Sequence, residues 1–275
     1  MKRFLKLVNF EFNRFFKIYL VLIGMTIIFQ LVGLFFQARS FLGEANKLIY
    51  EDLMPKEEFL NMYGPMTMHS FMNSLWFAGP IAICIVTLLI YVFFIWYRDW
   101  LGKNTFIYRL LMLPTNRINI YLSKAVTILL FVLGLVALQL ILFTIESEML
   151  TWLVPDDLRL DLSLLQITSY PYLFLLFPKT LFEFVIFYGI GMIAVLSLFT
   201  FIIFERSFRL KGIVVGAIYL AISFGILILP LFTDIMMNGY FYPMELFLLE
   251  VLAALVVISG TVWTSYYLLN HKIRV

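Results

Sequence analysis

Few side chains in this sequence stand at spacings that bond-making chemistry requires. His69 and His271 are the only histidines, and neither has a second ligand or a nucleophile at helical or loop spacing. Cys84 is the only cysteine, which leaves no disulfide framework and no thiolate metal site, so a small packing role is expected. Glu57 and Glu58 form an adjacent carboxylate pair of the kind that can do general acid–base work, but they fall in a polar loop with no basic partner at the spacing such work would need. Gly102–Lys103 lacks the upstream glycine and the following Ser or Thr of a phosphate-cradling loop. The sequence therefore points to no catalytic, metal-binding or cofactor-binding residues of its own. The chain is not expected to be an enzyme.

One polar stretch does stand out. Residues 98–117, RDWLGKNTFIYRLLMLPTNR, separate two long apolar runs. Asn104 can cap a short helix with the body TFIYRLLML, and Pro114 ends it, because the residue before proline avoids helical geometry. On that helix Phe106, Leu110 and Leu113 share one side, with Ile107 and Leu111 beside them, while Arg98, Lys103, Arg109 and Arg117 lie around it. An apolar ridge in a basic surround suits a protein-docking anchor, and equally a helix half-sunk in lipid headgroups.

The elements that must hold this stretch follow from composition. The chain is 63% hydrophobic and 13% charged, with thirty Phe, against about 25% charged in soluble domains. Six runs without Asp, Glu, Lys or Arg, at 18–38, 71–97, 125–145, 184–204, 212–233 and 251–270, are each long enough to cross a bilayer core, which takes about 20 residues per helix. In lipid a helix satisfies its own backbone. The expected fold is an all-α polytopic membrane protein forming a single transmembrane domain over residues 1–275, with spans near 18–38, 71–97, 118–146, 179–204, 212–233 and 247–270.

A seventh run, 162–178, is shorter and broken by Pro171. With six spans and both termini on the cytoplasmic side, 15 of the 20 Lys and Arg fall inside, and 14 of the 17 acids fall outside or at outer span ends. A seventh span would invert that bias in the second half, so 162–178 is read as a re-entrant or interfacial helix. The basic start, MKRFLKLVNFEFNRFFK, precedes an apolar run too long for a signal peptide and lacks a cleavage signature. As a helix it sets Phe4, Leu5, Val8, Phe12, Phe15 and Phe16 against Lys6, Asn9, Asn13 and Lys17, the pattern of an interfacial helix over residues 1–17. Glu146, Glu183 and Glu250 lie near outer span ends, and Gln30 and Gln139 are expected to hydrogen-bond between helices.

A basic amphipathic start, six spans and the pieces YRDWLGKN, RLLMLPTNR and YLSKAV between spans 2 and 3 resemble the permease subunits of ABC type-2 transporters. The architectural likeness covers nearly the whole chain, and the motif-level likeness residues 96–126. The resemblance implies that the N-terminal segment is an elbow helix and the short loop helix a coupling helix. Asp99, Lys103, Phe106, Arg109, Leu110, Leu113 and Arg117 would then meet a separate P-loop ATPase subunit, on which ATP and magnesium would bind. It implies a second permease chain, identical or different, with the substrate path between the two, and makes Phe29, Phe35, Phe36, Phe93 and Phe94 candidate lining residues. The cargo expected is a peptide, drug or lipid-like amphiphile exported across a bacterial cell membrane, with lipid but no nucleic acid as a further partner. The alternatives are a non-transporting membrane sensor or assembly partner, and a secondary transporter, which usually shows repeat symmetry or broken midplane helices.

Overall fold

The computed structural model describes residues 2–101, 106–171 and 173–273. Among the described residues ten α-helices follow in order: α1 (Lys2–Asn46), α2 (Lys56–Tyr63), α3 (Met68–Met72), α4 (Leu75–Trp100), α5 (Phe106–Leu111), α6 (Ile118–Leu153), α7 (Leu164–Thr168), α8 (Leu181–Phe208), α9 (Leu210–Met236) and α10 (Pro243–His271). Among the described residues there is no strand, only an isolated bridge between Met66 and Arg159. Helices α1, α4, α6, α8, α9 and α10 are each long and apolar enough to span a membrane. The expected all-helical class, with six helices long and apolar enough to cross a membrane, is what the described residues show.

The first helix differs from expectation in one respect. Residues 2–17 do not form a helix separate from the first span; α1 is unbroken over 45 residues, about 67 Å at 1.5 Å per residue. No proline interrupts it, and Gly24, Gly33 and Gly43 lie within it without ending it. The expected polar side, Lys6, Asn9, Asn13 and Lys17, is exposed, and Val8 and Phe15 of the apolar side are buried. The run 162–178 is not a seventh span, since among its described residues only Leu164–Thr168 is α-helical. It opens on a capping box in which Ser163 and Gln166 satisfy each other's backbone N–H groups.

The chain divides into two compact units. One comprises Met1–Arg14, Leu88–Leu130 and Thr180–Val275, where α8, α9 and α10 pack together. Only Arg209, at φ +55°, separates α8 from α9. A Cβ on Gly212 would lie 2.0 Å from the Phe204 carbonyl oxygen, so only glycine lets α9 lie this close to the end of α8. The other unit comprises Phe15–Thr87 and Phe131–Lys179. There Phe59, Met68, Phe71, Met72, Phe77, Phe143, Leu150, Val154, Ile167, Leu173 and Phe177 form a buried cluster, so the 162–178 run packs on α2, α3 and the end of α6.

Candidate functional site

Helices α1, α4 and α6 meet at an ion cluster. Glu11 lies on the buried side of α1, Asp99 in the last turn of α4, and Lys124 in the second turn of α6; all three are at most 2% exposed. Lys124 Nζ donates to Glu11 Oε1 at 2.6 Å, to Asp99 Oδ2 at 2.5 Å and to the Ile95 carbonyl at 3.0 Å. All three ammonium donors are thereby used. Arg14 donates to Asp99 Oδ1 at 2.7 Å and Arg98 to Glu11 Oε2 at 3.0 Å. Three bases neutralise two acids, and the Lys124 ammonium also stands 5.3 Å from the Trp96 ring. A buried carboxylate is tolerated when it is paired and hydrogen-bonded in this way.

This cluster roots the polar segment between α4 and α6. Asp99, which the resemblance places among the residues that meet the ATPase, is fully buried and bonded to Lys124 and Arg14, because α4 continues helically through Trp100. Leu110, expected at the centre of an exposed ridge, is 5% exposed and packs within the chain together with Ile107 and Leu111. Phe106 stacks on Phe10 of α1 with centroids 5.7 Å apart, and the Arg14 guanidinium lies 5.1 Å from its ring. Arg117 donates to the carbonyls of Leu269 and Ile273, at 2.5 and 3.1 Å, and so satisfies the C-terminal end of α10. Arg3 donates to the Pro114 carbonyl. Lys103 and Asn104 lie outside the described residues.

What α5 and the turn after it leave uncovered is Tyr108, Arg109, Met112 and Leu113, with Met112 70% exposed. The expected ridge is therefore divided: Phe106 and Leu110 are covered, and Leu113 is not. Its Phe106–Leu110 side faces α1 and its own loop, and a different edge faces outward. Helical spacing identifies an apolar face but not whether the chain itself covers it.

The candidate path residues remain uncovered within one chain. Phe29, Phe35, Phe36, Phe93 and Phe94 are 37–55% exposed. Phe29 and Phe36 both lie against Trp76, at 6.3 and 6.2 Å. Phe94 lies 5.9 Å below the Arg98 guanidinium.

Polar groups in the spans behave as the sequence indicated at two points. Gln30 Nε2 donates to Gln139 Oε1 at 3.1 Å, and Cys84 is a buried packing residue whose sulfur lies 3.4 Å from the Thr26 hydroxyl. Glu146 is fully buried with both carboxylate oxygens unpartnered, and nothing in its sequence context signals this. Its position one residue past an apolar run marks only a span end. Among the described residues no group of three or more His, Cys, Asp or Glu is arranged to hold a metal ion.

No protein-family model, curated protein or solved structure matches this chain. Among the described residues six helices are long and apolar enough to span a membrane, and the first three of them, α1, α4 and α6, are tied by a buried ion cluster.

Proposed function

We propose that this chain is the permease subunit of an ATP-binding-cassette exporter in a bacterial cell membrane, working as a pair of permease chains driven by a separate P-loop ATPase. What carries this reading is the segment between α4 and α6. A six-residue helix is set between two spans, anchored at its root by Glu11, Asp99 and Lys124, and presents Tyr108, Arg109, Met112 and Leu113 to the outside. A connection that only turned the chain would need neither a helix nor an anchor. An exposed Tyr, Arg and Met edge has the composition of a docking surface.

In this reading, closure of the ATPase dimer on ATP pushes α5, and the ion cluster passes the displacement to α4 and α6 as a unit. A side chain with three fixed partners cannot yield independently of them. Phe29, Phe35, Phe36, Phe93 and Phe94 would border a path shared with the second permease chain, and their apolar character suits an amphiphilic cargo. Both termini and the basic α8–α9 turn (Arg206, Arg209, Lys211) would face the cytoplasm.

A second reading, a secondary transporter, draws on Glu146, because an ionisable group buried among spans is a default marker of an ion pathway. ATP hydrolysis separates the two. The purified chain alone is expected to hydrolyse no ATP, and hydrolysis is expected to appear when a P-loop ATPase co-purifies and to be stimulated by cargo. Cation-gradient-driven uptake into vesicles holding this chain alone would favour the second reading.

A further inference from the structure

The geometry points to a binding site for one small monovalent cation at the outer ends of the spans, formed by Glu146 of α6, Gln37 of α1 and Ser74 just before α4. Glu146 is fully buried, and neither of its carboxylate oxygens has a hydrogen-bond partner. Gln37 Oε1 and Ser74 Oγ are also buried without partners. All three residues lie in the same compact unit.

Contacts along the helices bring them to one level. Helices α1 and α6 run in the same direction, since Tyr19 lies against Phe131 and Gln30 against Gln139. Seven residues further along each helix, two turns on the same face, come Gln37 and Glu146. The segment from Ser70 to Cys84 runs the other way, because Cys84 meets Thr26, the Phe77 carbonyl accepts from Gln30, and the Ser70 carbonyl accepts from Gln37 at 3.2 Å. Phe77 stacks on Phe143 with centroids 5.8 Å apart. Ser74 lies three residues outward of Phe77 and Glu146 three residues outward of Phe143.

The unpartnered atoms are oxygens. A carboxylate, an amide oxygen and a hydroxyl are hard donors that suit an alkali cation, with the hydroxyl also able to bond the carboxylate. One carboxylate supplies one negative charge, so a monovalent cation leaves the site neutral, whereas a divalent one would leave a buried positive charge. The charged or histidine side chains nearest in sequence to Gln37, Ser74 and Glu146 are Arg39 and Glu44 of α1, His69 of α3 and Glu148 of α6, with Lys179 at the end of the 162–178 run packed here. Arg39, Glu44, Glu148 and Lys179 are exposed, His69 is half-buried against Tyr170, and none of the five pairs with Glu146. A proton would supply the same single charge. The site does not depend on the ATPase reading.

The test is thermal unfolding of the purified full chain in detergent, in sodium, potassium or choline chloride at equal ionic strength and at pH 6 and 8, for wild type, Glu146→Gln and Ser74→Ala. Sodium at well above its dissociation constant is expected to raise the wild-type Tm over choline by about 3 °C or more, with the shift lost in Glu146→Gln and reduced in Ser74→Ala. A rise in wild-type Tm at pH 6 that is independent of the salt cation and lost in Glu146→Gln identifies the proton as the occupant. Absence of any cation- or pH-linked shift in wild type, or its full retention in Glu146→Gln, overturns the proposal. Should Glu146→Gln fail to fold, a shift unchanged in Ser74→Ala overturns it.

Discussion

Lys124 is the side chain on which the buried ion cluster of α1, α4 and α6 converges. It is fully buried and bonds both acids of the cluster. Removing one member of a buried charge network leaves its partners unpaired, which costs about 3–5 kcal/mol. Lys124→Met is therefore expected to unfold well below wild type in detergent, whereas Lys17→Met, on the exposed side of α1, should be near neutral. Equal stability of the two variants would show that the cluster contributes little. The outer pair Lys56–Asp157 is the opposite case, with both side chains exposed at 2.8 Å. Its hydrogen bond lowers the Asp157 carboxyl from its usual range and raises the Lys56 ammonium. The stabilisation it gives is present between the two: it is lost as pH falls through the lowered Asp157 value, and again as pH rises through the raised Lys56 value. Exposed pairs of this kind are weak and screened by salt. The difference in Tm between wild type and Lys56→Ala at neutral pH should accordingly be small at low salt and vanish at high salt.

Among the elements, the α8–α9 turn is the one with least room. Gly212 faces the backbone of Phe204, and that oxygen cannot move aside as a flexible side chain could. Gly212→Ala is expected to cost about 1–3 kcal/mol of stability through overpacking, read as a lower Tm. Gly225→Ala, with open space around it, should cost nothing by that route. The short loop helix teaches how far a sequence can be read. A short helix ending before Pro114 is legible in the sequence, and so is the apolar character of its Phe106 and Leu110. Which way the face turns was not, because Phe10 and Arg14, which cover Phe106, lie more than ninety residues away in the chain. The burial of Asp99 is not legible for a related reason: its polar surroundings resemble a loop, while its partners Lys124 and Arg14 sit 25 and 85 residues distant. The signal available was that Glu11 and Asp99 are two of only three acids among fifteen bases expected inside.

The whole molecule was the most legible, because length and apolarity alone fix the spanning helices, and all six appear where the apolar runs place them. Continuity of α1 was not legible, since a change from amphipathic to uniformly apolar residues marks a change of surroundings, not a break in the helix. The topology predicts that Leu160→Cys and Tyr240→Cys, both exposed, react with an impermeant thiol reagent on intact cells. Phe208→Cys, in the basic turn, should react only after the membrane is opened. Labelling of position 208 in intact cells would reverse the orientation of that half.

The most direct measurement of the central claim is retention of a P-loop ATPase by tagged chain extracted from its native membrane. Because Leu110 is buried against its own chain, Leu110→Asp would disturb folding as well as docking. The informative variants are Met112→Asp and Leu113→Asp, on the exposed edge. Truncating or charging a central docking anchor costs about 2 kcal/mol or more of binding, roughly a thirtyfold loss. Arg109→Ala, at the rim, should weaken association less and mainly alter its salt dependence. Wild type is predicted to bring down the ATPase, and both Asp variants to lose it while keeping the wild-type Tm. Retention of the ATPase by both variants at wild-type levels, or no ATPase with wild type, would contradict the account.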